Sequence, residues 1–76
     1  MKNKMIWFKE IAVRQGDGWE MKKNYGFKFD DLLVGEAWEE CPTLFHVKFL
    51  YKGDVTTEVL LNAKQIEGTE KALFQA

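Results

Sequence analysis

The chain has 76 residues, 46% of them hydrophobic and 30% charged, with a formal net charge of −1 and a pI of about 5.8. That length supplies one domain, residues 1–76, and the near-neutral balance excludes a strong overall pull toward nucleic acid or an anionic membrane. Cys41 is the only cysteine, which excludes an intrachain disulfide and a cysteine-based zinc site and fits a reducing cytoplasm.

The first apolar run, Met5–Phe8 behind Lys2 and Lys4, is too short for a secretory signal or a membrane span, which need about 7–15 and about 20 apolar residues. So short a chain buries only about 60–65% of its unfolded surface. Three Trp, six Phe and two Tyr compensate, since each buried aromatic removes roughly 150–250 Å² from water. Charge is split along the chain. Residues 1–28 hold seven basic and three acidic groups, for +4, and residues 29–76 hold four and nine, for −5. Two readings of this split stand side by side, a bipolar surface and chance patterning in a short chain.

Residues 5–14 predict a first strand of uncertain phase. Ile11 and Val13, with Met5 and Trp7, favour an odd inward face, and Ile6, Phe8 and Ala12 an even one. Either a bulge near Lys9–Glu10 switches the phase, or the strand is covered on both sides. Gln15-Gly16-Asp17-Gly18 is a turn. In residues 19–29 Trp19, Met21, Tyr25, Phe27 and Phe29 occupy odd positions, with Lys23 the only break, while Glu20, Lys22, Asn24, Gly26 and Lys28 occupy even ones. Successive strand side chains point to opposite faces, so this segment is a second strand with one aromatic face.

Asp30 or Asp31 then caps an expected helix ending near Glu40, before Pro42. Leu33, Val34, Ala37, Trp38 and Cys41 would form its apolar stripe, with Glu36, Glu39 and Glu40 opposite. Gly35 counts against this helix, at about 1 kcal/mol. Residues 44–51 predict a third strand, with Phe45, Val47, Phe49 and Tyr51 on one face and Leu44, His46, Lys48 and Leu50 on the other. Lys52-Gly53-Asp54 turns into a fourth strand, 55–61. Asn62 and Gln65 form a capping-box-like start to a last helix. Ala63, Ile66, Leu73 and Phe74 line its apolar side, and Gly68-Thr69 is a possible break. The expected fold is α+β: a four-stranded antiparallel sheet with two helices packed mainly on one face, in the order β-β-α-β-β-α.

Lys23-Asn24-Tyr25-Gly26-Phe27-Lys28-Phe29 resembles the RNP1 motif of RNA-recognition and cold-shock domains. Lys23, Tyr25, Gly26 and Phe27 match in place. Asn24 replaces a glycine, Lys28 an aliphatic residue, and Asp30 stands at the last aromatic position. The resemblance implies outward aromatics that stack bases. In a regular strand that orientation would push Lys22, Asn24 and Lys28 into the core, at several kcal/mol for an unpaired charge. The aromatic face is therefore expected to be core, with Phe45, Val47, Phe49, Val59 and Leu61.

The catalytic inventory is poor. The chain has no serine, and His46 is its only histidine. A Cys41–His46 pair would span Pro42 from a helix end to a strand. Glu36, Glu39 and Glu40 with Asp30 and Asp31 read as a solvated helix face, because hard cations need more ligands than one such face aims at a point. No enzyme activity, metal or cofactor is expected.

Two surfaces are left to carry function. One is the sheet's second face, with Leu44, His46, Lys48, Leu50, Leu60 and Phe8, more apolar than solvation requires. The other is the acidic group Glu36, Glu39 and Glu40. Together they predict a small cytoplasmic protein-binding domain, an inhibitor or adaptor, similar in type to the small phage proteins that block host enzymes or defence complexes. The alternatives are a nucleic-acid binder using Lys2, Lys4, Lys9, Arg14, Lys22, Lys23 and Lys28, and a homodimer formed through the sheet. No membrane partner is expected.

Overall fold

The computed structural model describes residues 4–74. Lys2 and the side chain of Phe74, both named above, lie outside the described residues. Five strands and one helix follow in order: β1 (Lys4–Gln15), β2 (Gly18–Phe29), β3 (Asp31–Trp38), β4 (Cys41–Tyr51), β5 (Asp54–Asn62) and α1 (Ala63–Phe74). The strands form one sheet in the order β2-β1-β5-β4-β3, antiparallel at every pairing.

This corrects the expected four-stranded sheet with two helices. Residues 31–38, read as a helix, are an edge strand paired with β4. Gly35 is the reason. A Cβ there would lie 2.8 Å from the carbonyl oxygen of His46, so the strand approaches β4 more closely than a side chain permits. The helix-capping signal also has another use. The backbone N–H of Asp30 donates to the carbonyl of Leu50 at 2.8 Å, and its carboxylate accepts the Lys52 N–H at 2.9 Å. Asp30 thus anchors the corner between β2 and β3 to the β4–β5 turn.

That corner defines the shape of the sheet. β2 and β3 lie at opposite edges yet are joined through Asp30 alone. The sheet must therefore coil. β1 pairs with β5 only at Ala12–Leu60 and Val13–Val59. Beyond these pairs the other half of the β1–β2 hairpin crosses toward β4. Rings of Phe8, Phe27 and Phe29 surround Phe49, with centroids 6.4, 4.8 and 5.0 Å away. In a flat sheet β2 and β4 would stand about 14 Å apart, three strand spacings.

The bend has a local cause. Register between β1 and β2 is constant from Lys4–Phe29 to Gln15–Gly18, with Lys9 and Asn24 left unpaired between Phe8–Tyr25 and Glu10–Lys23. Asn24 takes a φ of 51°, a conformation rare outside glycine and asparagine. Both strands change phase here. Ile6 and Phe8 face the core before it, and Ile11 and Val13 after it. The change of phase expected near Lys9–Glu10 in the first strand is present, but as an unpaired Lys9–Asn24 step shared by both strands with no register shift, rather than as a bulge in one of them. Consequently Trp19 and Met21 leave the aromatic core face on which regular alternation placed them, and Met21 is 60% exposed. Tyr25, Phe27 and Phe29 remain on it.

The buried centre comprises Ile11, Val13, Phe29, Val47, Phe49, Val59 and Leu61. Helix α1 covers part of it through Ile66 and Leu73. Its capping box is formed on both sides: the Gln65 N–H donates to Asn62 Oδ1 at 2.8 Å, and the Asn62 N–H to Gln65 Oε1 at 3.0 Å. The helix runs through Gly68-Thr69 without a break, because Thr69 is buried and its hydroxyl donates to the Gln65 carbonyl at 2.7 Å. Lys52 and Gly53, at φ 53° and 86°, form the tight turn between β4 and β5. In β5 a bulge at Thr56, between Phe49–Thr57 and Leu50–Val55, turns Val55 outward.

Candidate functional site

Strand pairing assigns the residues of the sheet's second face. On β4 alternation places Leu44, His46, Lys48 and Leu50 there. His46 opposes Leu60, Lys48 opposes Glu58, and Leu60 opposes Ala12. One step along β1, Arg14 opposes Trp19. Leu60 is only 4% exposed yet lies outside the main core. Its strand neighbour on this face is His46, which belongs to a second, smaller cluster.

Aromatic rings build that cluster. Trp19 meets His46 edge-on at 5.3 Å, and Trp38 packs against Trp19 at 6.4 Å. The Arg14 guanidinium sits 5.3 Å from the Trp19 ring centre and donates from Nε to the Gly16 carbonyl at 2.8 Å. His46 Nε2 lies 2.7 Å from Glu58 Oε1. This bond fixes the imidazole, which in turn sets the angle of Trp19.

These rings form one wall of an open hollow of about 480 Å³. Arg14, Trp19, Ala37, Trp38 and His46 line it together with Asp17, Glu36, Glu39 and Glu40. Four carboxylates and one guanidinium give it a formal charge of −3 with His46 neutral. Glu39 and Glu40 occupy the turn between β3 and β4, and Glu36 lies on β3. The three glutamates do not share a helix face, yet the hairpin delivers them to one place. The acidic group and His46, two separate candidates in the sequence, thus meet here.

The remaining candidates are dispersed. Phe8 belongs to the core, stacked with Phe27 at 6.1 Å, and Trp7 is the neighbour that faces outward. Leu44 opposes Asn62 near the start of α1, Lys48 sits between Leu33 and Glu58, and Leu50 opposes Asp31 and Val55 at the far end of β4. Cys41 Sγ is 3.2 Å from the Thr43 hydroxyl, whereas His46 engages Glu58. Trp19, Trp38, Arg14 and Asp17 are site residues that sequence reasoning missed. Trp19 was assigned to the core by its odd position, and Trp38 to the stripe of a helix.

Among the described residues no group of three or more His, Cys, Asp or Glu side chains is placed to hold a metal ion. Nor, among the described residues, is any helix long and apolar enough to cross a membrane. No protein-family model, curated protein or solved structure matches the chain.

Proposed function

We propose that the chain is a small protein-binding domain that acts in the cytoplasm by occupying a surface of a larger partner. It serves as an adaptor, or as an inhibitor of the kind phages direct at host enzymes or defence complexes. One observation supports this reading: the Trp19–Trp38–His46 cluster opens into a hollow edged by Glu36, Glu39, Glu40 and Asp17. Tryptophans held by neighbouring rings make rigid anchors, the type of residue that dominates protein interfaces. Carboxylates around them favour a basic contact, because an arginine or lysine gains both charge pairing and a ring face. The partner surface is therefore one that presents basic side chains.

The test is parallel affinity capture from a native lysate. One bait is the natural chain and the other carries Glu36→Lys, Glu39→Lys and Glu40→Lys. All three positions are exposed, so the variant keeps its fold, which circular dichroism checks. A partner retained by the first and lost by the second supports the hollow as the contact. A partner retained equally by both overturns it. A third bait, Leu44→Glu with Leu50→Glu, reports on the flanks of the same face.

A further inference from the structure

The outer face of the β1–β2 hairpin, at the end away from the acidic hollow, carries an independent feature. Trp7 is 64% exposed, the most exposed of the large hydrophobic residues described. It is nevertheless held in place. Trp7 opposes Gly26, and a Cβ built at Gly26 would fall 2.4, 2.4 and 2.6 Å from Cδ2, Cε3 and Cε2, three contiguous carbons of the indole. Near-equal distances to three ring atoms mean that the ring plane faces the glycine. One face of the indole rests on backbone and the other is open to solvent. Only glycine allows this seat.

The surroundings are basic. Met5 flanks Trp7 on the same side of β1, Lys28 opposes Met5 from β2, and Lys9 follows two residues on, at the change of phase. Lys9 and Lys28 are exposed, and among the described residues neither has a carboxylate within ion-pair distance. Glu10 is the nearest acid along the strand, opposite Lys23. Residues 4–29 hold six basic and three acidic groups, a net +3 in a chain that totals −1.

We propose that this face binds single-stranded nucleic acid, with a base stacked on the free face of Trp7 and phosphates beside Lys9 and Lys28. A preset indole suits an unpaired base, because every base presents a π-face and stacking needs no particular sequence. A duplex hides its base faces, so it gains only the lysine contacts. Charge complementarity selects a polyanion, and the open ring selects the single-stranded form. The RNP1-like segment contributes through Gly26 and Lys28 rather than through its own aromatics, which are packed inward.

The experiment titrates short oligo-deoxythymidine and oligo-uridine into the full chain at low and moderate salt, reading tryptophan fluorescence and the anisotropy of labelled oligonucleotide. Binding should quench Trp7. Trp7→Ala should weaken affinity about tenfold without changing the circular dichroism or the melting temperature. Gly26→Val, which displaces the indole, should do the same. Lys9→Gln and Lys28→Gln should each lower the salt slope by about 0.7. The Glu36, Glu39 and Glu40 variant should bind as the natural chain does, which separates this site from the hollow. Three outcomes overturn the proposal: no binding at low salt, equal affinity for Trp7→Ala, or equal competition by heparin. Binding to phosphatidylserine vesicles but not to the oligonucleotides also overturns it.

Discussion

The indole of Trp19 meets the imidazole of His46 edge-on, 5.3 Å between ring centres, although two strands separate theirs in the sheet. On the opposite face Phe27 of β2 reaches Phe49 of β4. A strongly twisted sheet does both, since diagonal corners rise on opposite sides. Each face thus receives an aromatic cluster from one half of the same hairpin.

The Trp19 contact predicts a stability effect at a half-buried position. Trp19→Ala removes the ring contacts to Trp38 and His46 and the Arg14 stacking together. The expected loss is about 2 kcal/mol, below that of a fully buried aromatic. Urea unfolding measures it. A loss under about 0.5 kcal/mol would mean that the second cluster adds nothing to the fold.

Phe49 is the centre of the main core, fully buried and touched by three phenylalanine rings. Phe49→Ala should cost about 3–5 kcal/mol, close to the whole stability of a small domain. Phe49→Leu keeps more volume and should leave a folded, measurable protein. Thermal melts of the pair should rank natural chain, Leu, Ala.

The capping box of α1 is a separable contribution. Asn62→Ala removes one acceptor and should cost about 1 kcal/mol. Gln65→Ala removes the reciprocal bond and should cost less. Because each bond supports the other's geometry, the double variant should lose less than the two single losses added together. Denaturation of all four proteins closes the cycle.

The turn at Lys52–Gly53 invites a stabilising change. Lys52 has a φ of 53°, which asparagine tolerates better. Lys52→Asn keeps the backbone N–H that Asp30 accepts. It should gain about 0.5 kcal/mol, less any loss of the Lys52–Tyr51 ring contact. A lower melting temperature would show that the ring contact outweighs the turn.

Much of this fold is legible in the residues, though not evenly. The strands 44–51 and 55–61 and the last helix announce themselves through alternation, Lys52-Gly53, and the Asn62–Gln65 box. Residues 31–38 do not. As an edge strand β3 leaves Leu33 and Val34 exposed, so burial imposes little alternation, and their spacing imitates a helix stripe. Gly35 is the residue that argues against that helix, and its close approach to His46 appears only once β4 is beside it.

The phase change at Asn24 hid more of the site. Residues 19–29 alternate with one break, Lys23 on the odd face beside Asn24, and a single polar residue in an otherwise regular pattern does not by itself mark a change of phase. The partner strand did carry the signal, in the competing odd and even faces around Lys9–Glu10. A change of phase at the same point of both strands leaves the register intact and moves Trp19 to the other side, where it joins His46.

The two residue pairs that join β1 to β5 bear on how the chain acquires its structure. The other strand pairings are hairpins between sequence neighbours, so they close over short loops at little entropic cost. Ala12–Leu60 and Val13–Val59 bring together residues nearly fifty positions apart. Docking of the hairpin onto the β3–β5 meander is therefore the slow, late event in folding. In native-state hydrogen exchange, the amides of β1 and β2 should open as one cooperative unit, apart from those at the centre of β4.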